Sequence, residues 1–328
     1  MMKIIAITPD FAKESYLLFD PSSLNVGDVV LNDIYIKRSS KYVIIIEAGT
    51  ILTEKLLSSL QSQENLYILD HKAETLHAPV GSVDSFNCNT LLVRIKRNKK
   101  DLSKTLKMLY DASNKSFTDF LNNQDDRIDL SCIQAIVESI IFLIKNYENS
   151  FKNIMPALHN DYKLPIHSVN VTIYALQLGN ILHLSHDQLL KLGQAALMHD
   201  LGKKSVYSII EKENKLDAEE LELIQKRVEH SIEILQKNSV MDPIIINAVK
   251  HHHERYDGSG YPNQLLKEEI SDFGSIIAIC DVFDALTIDR PHTKGYGTFE
   301  ALKIMIQDES MKNKFNDSYI KQALRSIS

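Results

Sequence analysis

Apolar positions recur along this chain at two different periods. Over residues 29–36 and 42–46, β-branched and aromatic side chains run together between Gly27-Asp28 and Gly49-Thr50, which predicts strands. Residues 53–61 read as a short helix and 66–69 as another strand. From about Leu102 onward the apolar positions return every three or four residues, the period of a helix. Helix starts are marked. Ser185 and Gln188 form a capping box ahead of Leu189, Leu192 and Ala196, and Asp217 and Glu220 do the same ahead of Leu221, Ile224, Val228, Ile232 and Leu235. Residues 276–288 are apolar nearly all round, which predicts a buried helix. The basic stretch at 94–100 marks a boundary. The expected fold is mainly α: a small α+β module over 1–97, a helical connector over 98–126 and an all-helical domain over 127–328.

Composition narrows the class. With 44% hydrophobic and 24% charged residues, the chain is an ordinary globular protein rather than a disordered one. Only 11 glycines and 8 prolines favour long helices over a turn-rich sandwich. The net charge of −6 argues against nucleic acid as a partner. Cys88, Cys132 and Cys280 are odd in number and far apart, so they read as reduced thiols. The apolar opening is broken by Thr8-Pro9-Asp10, too short for a signal-peptide core, and no run reaches the ~18 residues of a membrane span. The expectation is a soluble, cytoplasmic protein with no membrane partner.

Charge then appears where a core is predicted. Continued by the helical rule, the stripe Leu189, Leu192, Ala196 arrives at His199, Asp200 and Lys203. His167 is in line with Val171, Tyr174, Leu178 and Ile181, and Asp281 and Asp284 sit one turn apart in the all-apolar helix. A buried carboxylate or ammonium without a partner costs several kcal/mol, so something must compensate. By phase alone His230 is solvated, and the run His251-His252-His253 is a helix end or a metal-binding run. As a set, helix-borne imidazoles and carboxylates converging in a core are what a multinuclear metal centre requires.

The motifs resemble a known family. Residues 195–203, with the adjacent His199-Asp200, resemble the HD phosphohydrolase signature. Residues 252–262 resemble the HHExxDGxGYP signature of its HD-GYP branch, and Asp281 to Thr287 with Arg290-Pro291 resembles the DxxDALTxxRP stretch that follows. The resemblance implies hydrolysis of the bacterial second messenger cyclic di-GMP, to linear pGpG or GMP, at a metal centre. It implies His167, His199, Asp200, His230, His252, His253 and Asp281 as ligands, with Asp200 bridging. Iron, manganese or zinc suits such a donor set, iron first. Lys203 would contact the substrate phosphate beside Asp200. Gly260, Tyr261 and Pro262 would shape the ligand pocket, with Arg290 and Lys294 as further contacts. His251 lies outside the motif and reads as helix surface.

Two positions depart from that pattern. Members with a third metal carry a carboxylate one turn before the first histidine, where this chain has Lys163, so two divalent ions are expected. The basic residue usually three after Arg290 is Thr293, with Lys294 beside it. Three functions follow: a cyclic di-GMP phosphodiesterase, a catalytically weak cyclic di-GMP receptor, or an HD hydrolase of another cyclic dinucleotide such as cyclic GMP-AMP. The N-terminal module reads as a regulatory or sensing domain that contacts other signalling proteins. A receiver domain is disfavoured: Asp70 follows a strand-like run, but the early acidic pair is missing. Apolar connecting helices suggest a homodimer.

Overall fold

The computed structural model describes residues 16–39, 41–69, 77–79, 88–147, 154, 163–210, 217–289 and 294–327. The chain divides into two compact units, Met1–Asp101 and Leu102–Ser328.

In the first unit, β1 (Tyr16–Phe19), β3 (Ile34–Arg38), β4 (Lys41–Ile46) and β5 (Leu66–Leu69) form an antiparallel sheet in the order β1-β5-β3-β4. A second antiparallel pair joins β2 (Asp28–Val30) to β6 (His77–Pro79). The run expected as one strand over 29–36 is thus two, β2 and β3, in different sheets. Helix α1 (Glu54–Gln61) begins where Thr53 Oγ1 accepts from the Leu56 N–H. Its Leu60 joins Phe19, Val30, Ile34, Ile46, Leu66 and Ile68 in one apolar cluster. Helix α2 (Leu91–Arg97) buries Leu91, Val93 and Ile95 and carries Arg94, Lys96 and Arg97 in its last turn. There Lys96 pairs with Asp33, so part of the basic stretch is structural.

Among its described residues the second unit is mainly helical. It contains α3 (Leu102–Asn122), α4 (Leu130–Asn146), α5 (Leu164–Ile181), α6 (His186–Met198), α7 (Lys203–Ile210), α8 (Ala218–Lys237), α9 (Pro243–His251), α10 (Asp272–Thr287), α11 (Thr298–Gln307) and α12 (Asp317–Ile327). The stretch expected as a connector contains α3, which clusters with this unit and packs on α4 and α5. Helix α5 is buried almost end to end, because its residues are apolar on every face and neighbours α3, α4, α6, α10 and α12 cover it. Both expected capping boxes form, at the starts of α6 and α8. Among the described residues no helix is long and apolar enough to cross a membrane.

Two expectations are corrected. Cys88 and Cys132 are oxidised rather than the reduced thiols expected, whereas Cys280 is free and buried in α10. His251 is half-buried rather than surface, and its Nδ1 accepts from the Ser271 N–H at the start of α10.

Candidate metal centre

Five histidines and two aspartates were expected to converge, and the ends of three helices and the middle of a fourth bring six of these seven residues together. His167 lies in the first turn of α5, His199 and Asp200 follow α6, His252 and His253 follow α9, and Asp281 is in α10. Their donor atoms fall into two groups, each within 4.8 Å: His167, His199, Asp200 and Asp281, and then Asp200, His252 and His253. Asp200 belongs to both. His199 Nε2 and His167 Nε2 lie 3.0 and 3.7 Å from Asp200 Oδ2, and His167 Nε2 lies 3.2 Å from Asp281 Oδ1. On the other side, His252 Nε2 is 3.9 Å from Asp200 Oδ1.

Each histidine of the first group is held by its far nitrogen. His199 Nδ1 donates to the Ala196 carbonyl at 2.8 Å, and His167 Nδ1 donates to Asp284 Oδ2 at 2.7 Å. Asp284 is fully buried; its other oxygen accepts from Asn170, whose own oxygen accepts from the Tyr110 hydroxyl at 2.6 Å. His252 Nδ1 likewise donates to the Val249 carbonyl at 2.6 Å. A proton fixed on Nδ1 leaves Nε2 as the ligand nitrogen, the arrangement that outer partners impose on metal-binding histidines. The Nε2 atoms of His167, His199 and His252 are buried with no hydrogen-bond partner. Neutral imidazole nitrogens facing two carboxylates are satisfied when a cation lies between them. The donor set therefore fits a divalent metal ion.

The clustered charges also shift one another's pKa values. Burial pushes the Asp200 carboxyl pKa up, but the Lys203 charge and the His199 and His167 contacts outweigh it and hold it well below the usual range. Asp281 is depressed in the same way against its burial by His167, His199 and His253. His167 would be lowered by burial alone, yet Asp200, Asp281 and Asp284 raise it well above the ordinary imidazole value. Lys203 contacts Asp200 Oδ2 at 2.5 Å, with its side chain 18% exposed.

The remaining expected residues are less uniform. Gly260 is buried, and a Cβ there would lie 2.4 Å from the Arg255 nitrogen, so only glycine lets the loop lie on residues 254–255. Pro262 is half-buried in the same loop, and Tyr261 stacks on His253 with ring centroids 4.8 Å apart. Lys294 is exposed, while Arg290 and Thr293 lie outside the described residues. His230 is half-buried on α8 and belongs to neither group. In its place, one turn earlier, Arg227 reaches the second group: Nη2 is 2.7 Å from His253 Nε2 and Nε is 3.5 Å from Asp200 Oδ1. Sequence reasoning missed Arg227, because an arginine among the polar residues of an amphipathic helix reads as solvated. It also missed Glu254, whose buried carboxylate accepts from the Asn263 and Leu265 N–H groups and shapes the Gly-Tyr-Pro loop.

Comparison with known proteins now decides the family. The HD domain model matches residues 138–315, more than half of the chain. This chain belongs to the HD domain family. It carries the HD-GYP signatures of that family, and five of the six clustered residues, His199, Asp200, His252, His253 and Asp281, lie in them, with His167 upstream. It is 32% identical over 181 residues to a cyclic di-GMP phosphodiesterase of Pseudomonas aeruginosa, covering 55% of this chain and 44% of that protein. It is 38% identical over 128 residues to a 3'3'-cGAMP-specific phosphodiesterase of Vibrio cholerae, covering 38% of this chain and 24% of that one. The chain thus spans less than half the length of these relatives. In fold it is similar to an HDG"Y"P protein from Bdellovibrio bacteriovorus, with a TM-score of 0.56 at 16% identity, covering 95% of this chain and 99% of that one.

Proposed function

We propose that this chain is a divalent-metal-dependent phosphodiesterase that cleaves cyclic di-GMP. The observation that carries the reading is Asp200, a buried carboxylate placed between two groups of oriented imidazoles. His167, His199, Asp200 and Asp281 would hold the ion; this mix of imidazole and carboxylate suits iron or manganese, with zinc also compatible. An ion held there supplies Lewis acidity, lowering the pKa of water and offsetting charge on phosphoryl oxygens. The chain's own residues do the rest. Asp284 and the Ala196 carbonyl fix the imidazole tautomers. Lys203, engaged by Asp200 and still partly exposed, is positioned to neutralise a phosphate oxygen entering from the open side. The Tyr261 ring, stacked on His253, offers a flat apolar wall at the edge of the same site. The small N-terminal unit is the proposed regulatory module.

The 38% identity to a cGAMP-specific enzyme makes the adenine-containing dinucleotide the competing substrate. A second reading, a receptor that binds the dinucleotide and turns it over slowly, is favoured by the guanidinium of Arg227 in the second ligand group. The test is metal content and turnover of both dinucleotides on protein purified without oxygen, beside Asp200→Asn. Bound metal and cyclic di-GMP hydrolysis, both lost in the variant, are the expected result. Metal-loaded protein that cleaves only cyclic GMP-AMP, or neither, overturns the substrate assignment.

A further inference from the structure

The two ligand groups differ in one respect that decides how many ions they hold. In the first, the imidazole lone pairs are unengaged; Lys203 touches only a carboxylate oxygen. In the second, Arg227 Nη2 lies 2.7 Å from His253 Nε2. A guanidinium has donors and no acceptor, so His253 must present the Nε2 lone pair to it, the same pair a metal would need. Arg227 Nε also faces Asp200 Oδ1 at 3.5 Å, the oxygen turned toward His252.

The arginine is built into this place. Its side chain is only 12% exposed, Nη1 donates to the Ile224 carbonyl at 3.3 Å, and its carbon lies 5.9 Å from the Tyr261 ring centroid. Its backbone is pinned as well. Gly202, just after the His199-Asp200 pair, sits so close that a Cβ would fall 1.9 Å from the Arg227 carbonyl oxygen. Ser231, one turn on, accepts from the Gly202 N–H at 2.8 Å and donates to the His199 carbonyl. The nearby His230, the other candidate ligand on this helix, lies outside the group.

We propose that Arg227 takes the place of the second metal: this chain binds one divalent ion, in the first group, and the guanidinium is the fixed positive charge on the other oxygen of Asp200. This rests on the reading that the first group holds an ion. Arginine stays protonated at any working pH, so it cannot leave by losing its charge. It binds phosphate oxygens through paired N–H donors, but it cannot acidify water as a second ion does. The site so built favours holding a phosphodiester over fast cleavage.

The test is manganese stoichiometry and electron paramagnetic resonance on the full chain, wild type beside Arg227→His and His253→Ala. Expected are about one ion per chain with the six-line signal of isolated manganese in the wild type, and about two with an exchange-coupled signal in Arg227→His. His253→Ala should keep the wild-type count and signal, and it carries the test if Arg227→His fails to fold. Two coupled ions in the wild type, or one ion lost in His253→Ala, overturn the inference while leaving the metal-dependent function standing. No ion in any of the proteins overturns both.

Discussion

The two sides of Asp200 are built from the same materials to opposite ends. On the Oδ2 side, His167 and His199 come from different helices, each has its Nδ1 proton fixed, and each turns an unengaged Nε2 inward. On the Oδ1 side, His252 and His253 are neighbours at one helix end, and an arginine from α8 already holds the second of them. A buried carboxylate needs partners on both oxygens. The Oδ2 side has Lys203 on the carboxylate and leaves its imidazole lone pairs open, whereas on the Oδ1 side Arg227 occupies the lone pair of His253. The lesson is that ligand types brought together are not yet a metal site: the lone pairs must also be unspent.

The sharpest way to break this contrast is at Gly202, which sets how closely α8 approaches the His199-Asp200 turn. In Gly202→Ala the new Cβ would meet the Arg227 carbonyl at 1.9 Å and the Ser231 nitrogen at 2.8 Å. Both are backbone atoms, so α8 must move. We expect a loss of up to ~3 kcal/mol in stability, the upper end of ordinary overpacking. Calorimetric unfolding reads it. The ion of the first group should stay, because none of its ligands is on α8. Loss of metal together with stability would mean that the two sides are one mechanical unit.

A change of the next size strikes the other side. Asp284 touches no other member of the ligand groups than His167, and it orients that ring by a 2.7 Å hydrogen bond. Asp284→Ala leaves the imidazole free to turn and Asn170 short of an acceptor. Metal affinity should fall about 10–100-fold, as for other outer-shell carboxylates, with the stoichiometry at saturating metal unchanged. Competitive chelator titration measures it. An unchanged affinity would show that helix packing alone aims His167.

How much of this was legible beforehand follows from the physics of each element. Period and capping signals located α1, α6, α8 and β5, because those elements are set by local sequence. The sheet order was not legible: strands pair by long-range contacts, and the 29–36 run was split between two sheets. His167, Asp200 and Asp281 betrayed themselves by standing on apolar stripes, and His252-His253 by motif. Arg227 did not. Its burial comes from the absence of a side chain at Gly202 on another segment, a fact that no periodicity along α8 contains. Asp284 was visible as a charge in an apolar helix, but its role needed the partner on α5.

The smallest effect serves as the control for both sides. Asp126 lies between α3 and α4, away from the ligand groups, where Lys204 Nζ binds its Oδ1 at 2.7 Å and Lys237 lies 3.5 Å from Oδ2. The hydrogen bond from Lys204 lowers the Asp126 pKa, against a smaller opposing push from burial. The carboxylate is thus more acidic folded than unfolded, and its stabilisation is present in full above the unfolded value of 3.8. It is lost as pH falls through the lower folded value. At 21% exposure the pair is screened, so Asp126→Asn should cost less than ~1 kcal/mol at pH 7. Below the lowered folded value the variant and wild type should unfold at the same temperature, since the carboxylate is then protonated in both states. A gap that persists in acid would assign the effect to the Lys204 contacts with the Phe120 and Asn123 carbonyls instead. Metal content should not change at any pH where the first group is loaded, which separates this ion pair from the two that share Asp200.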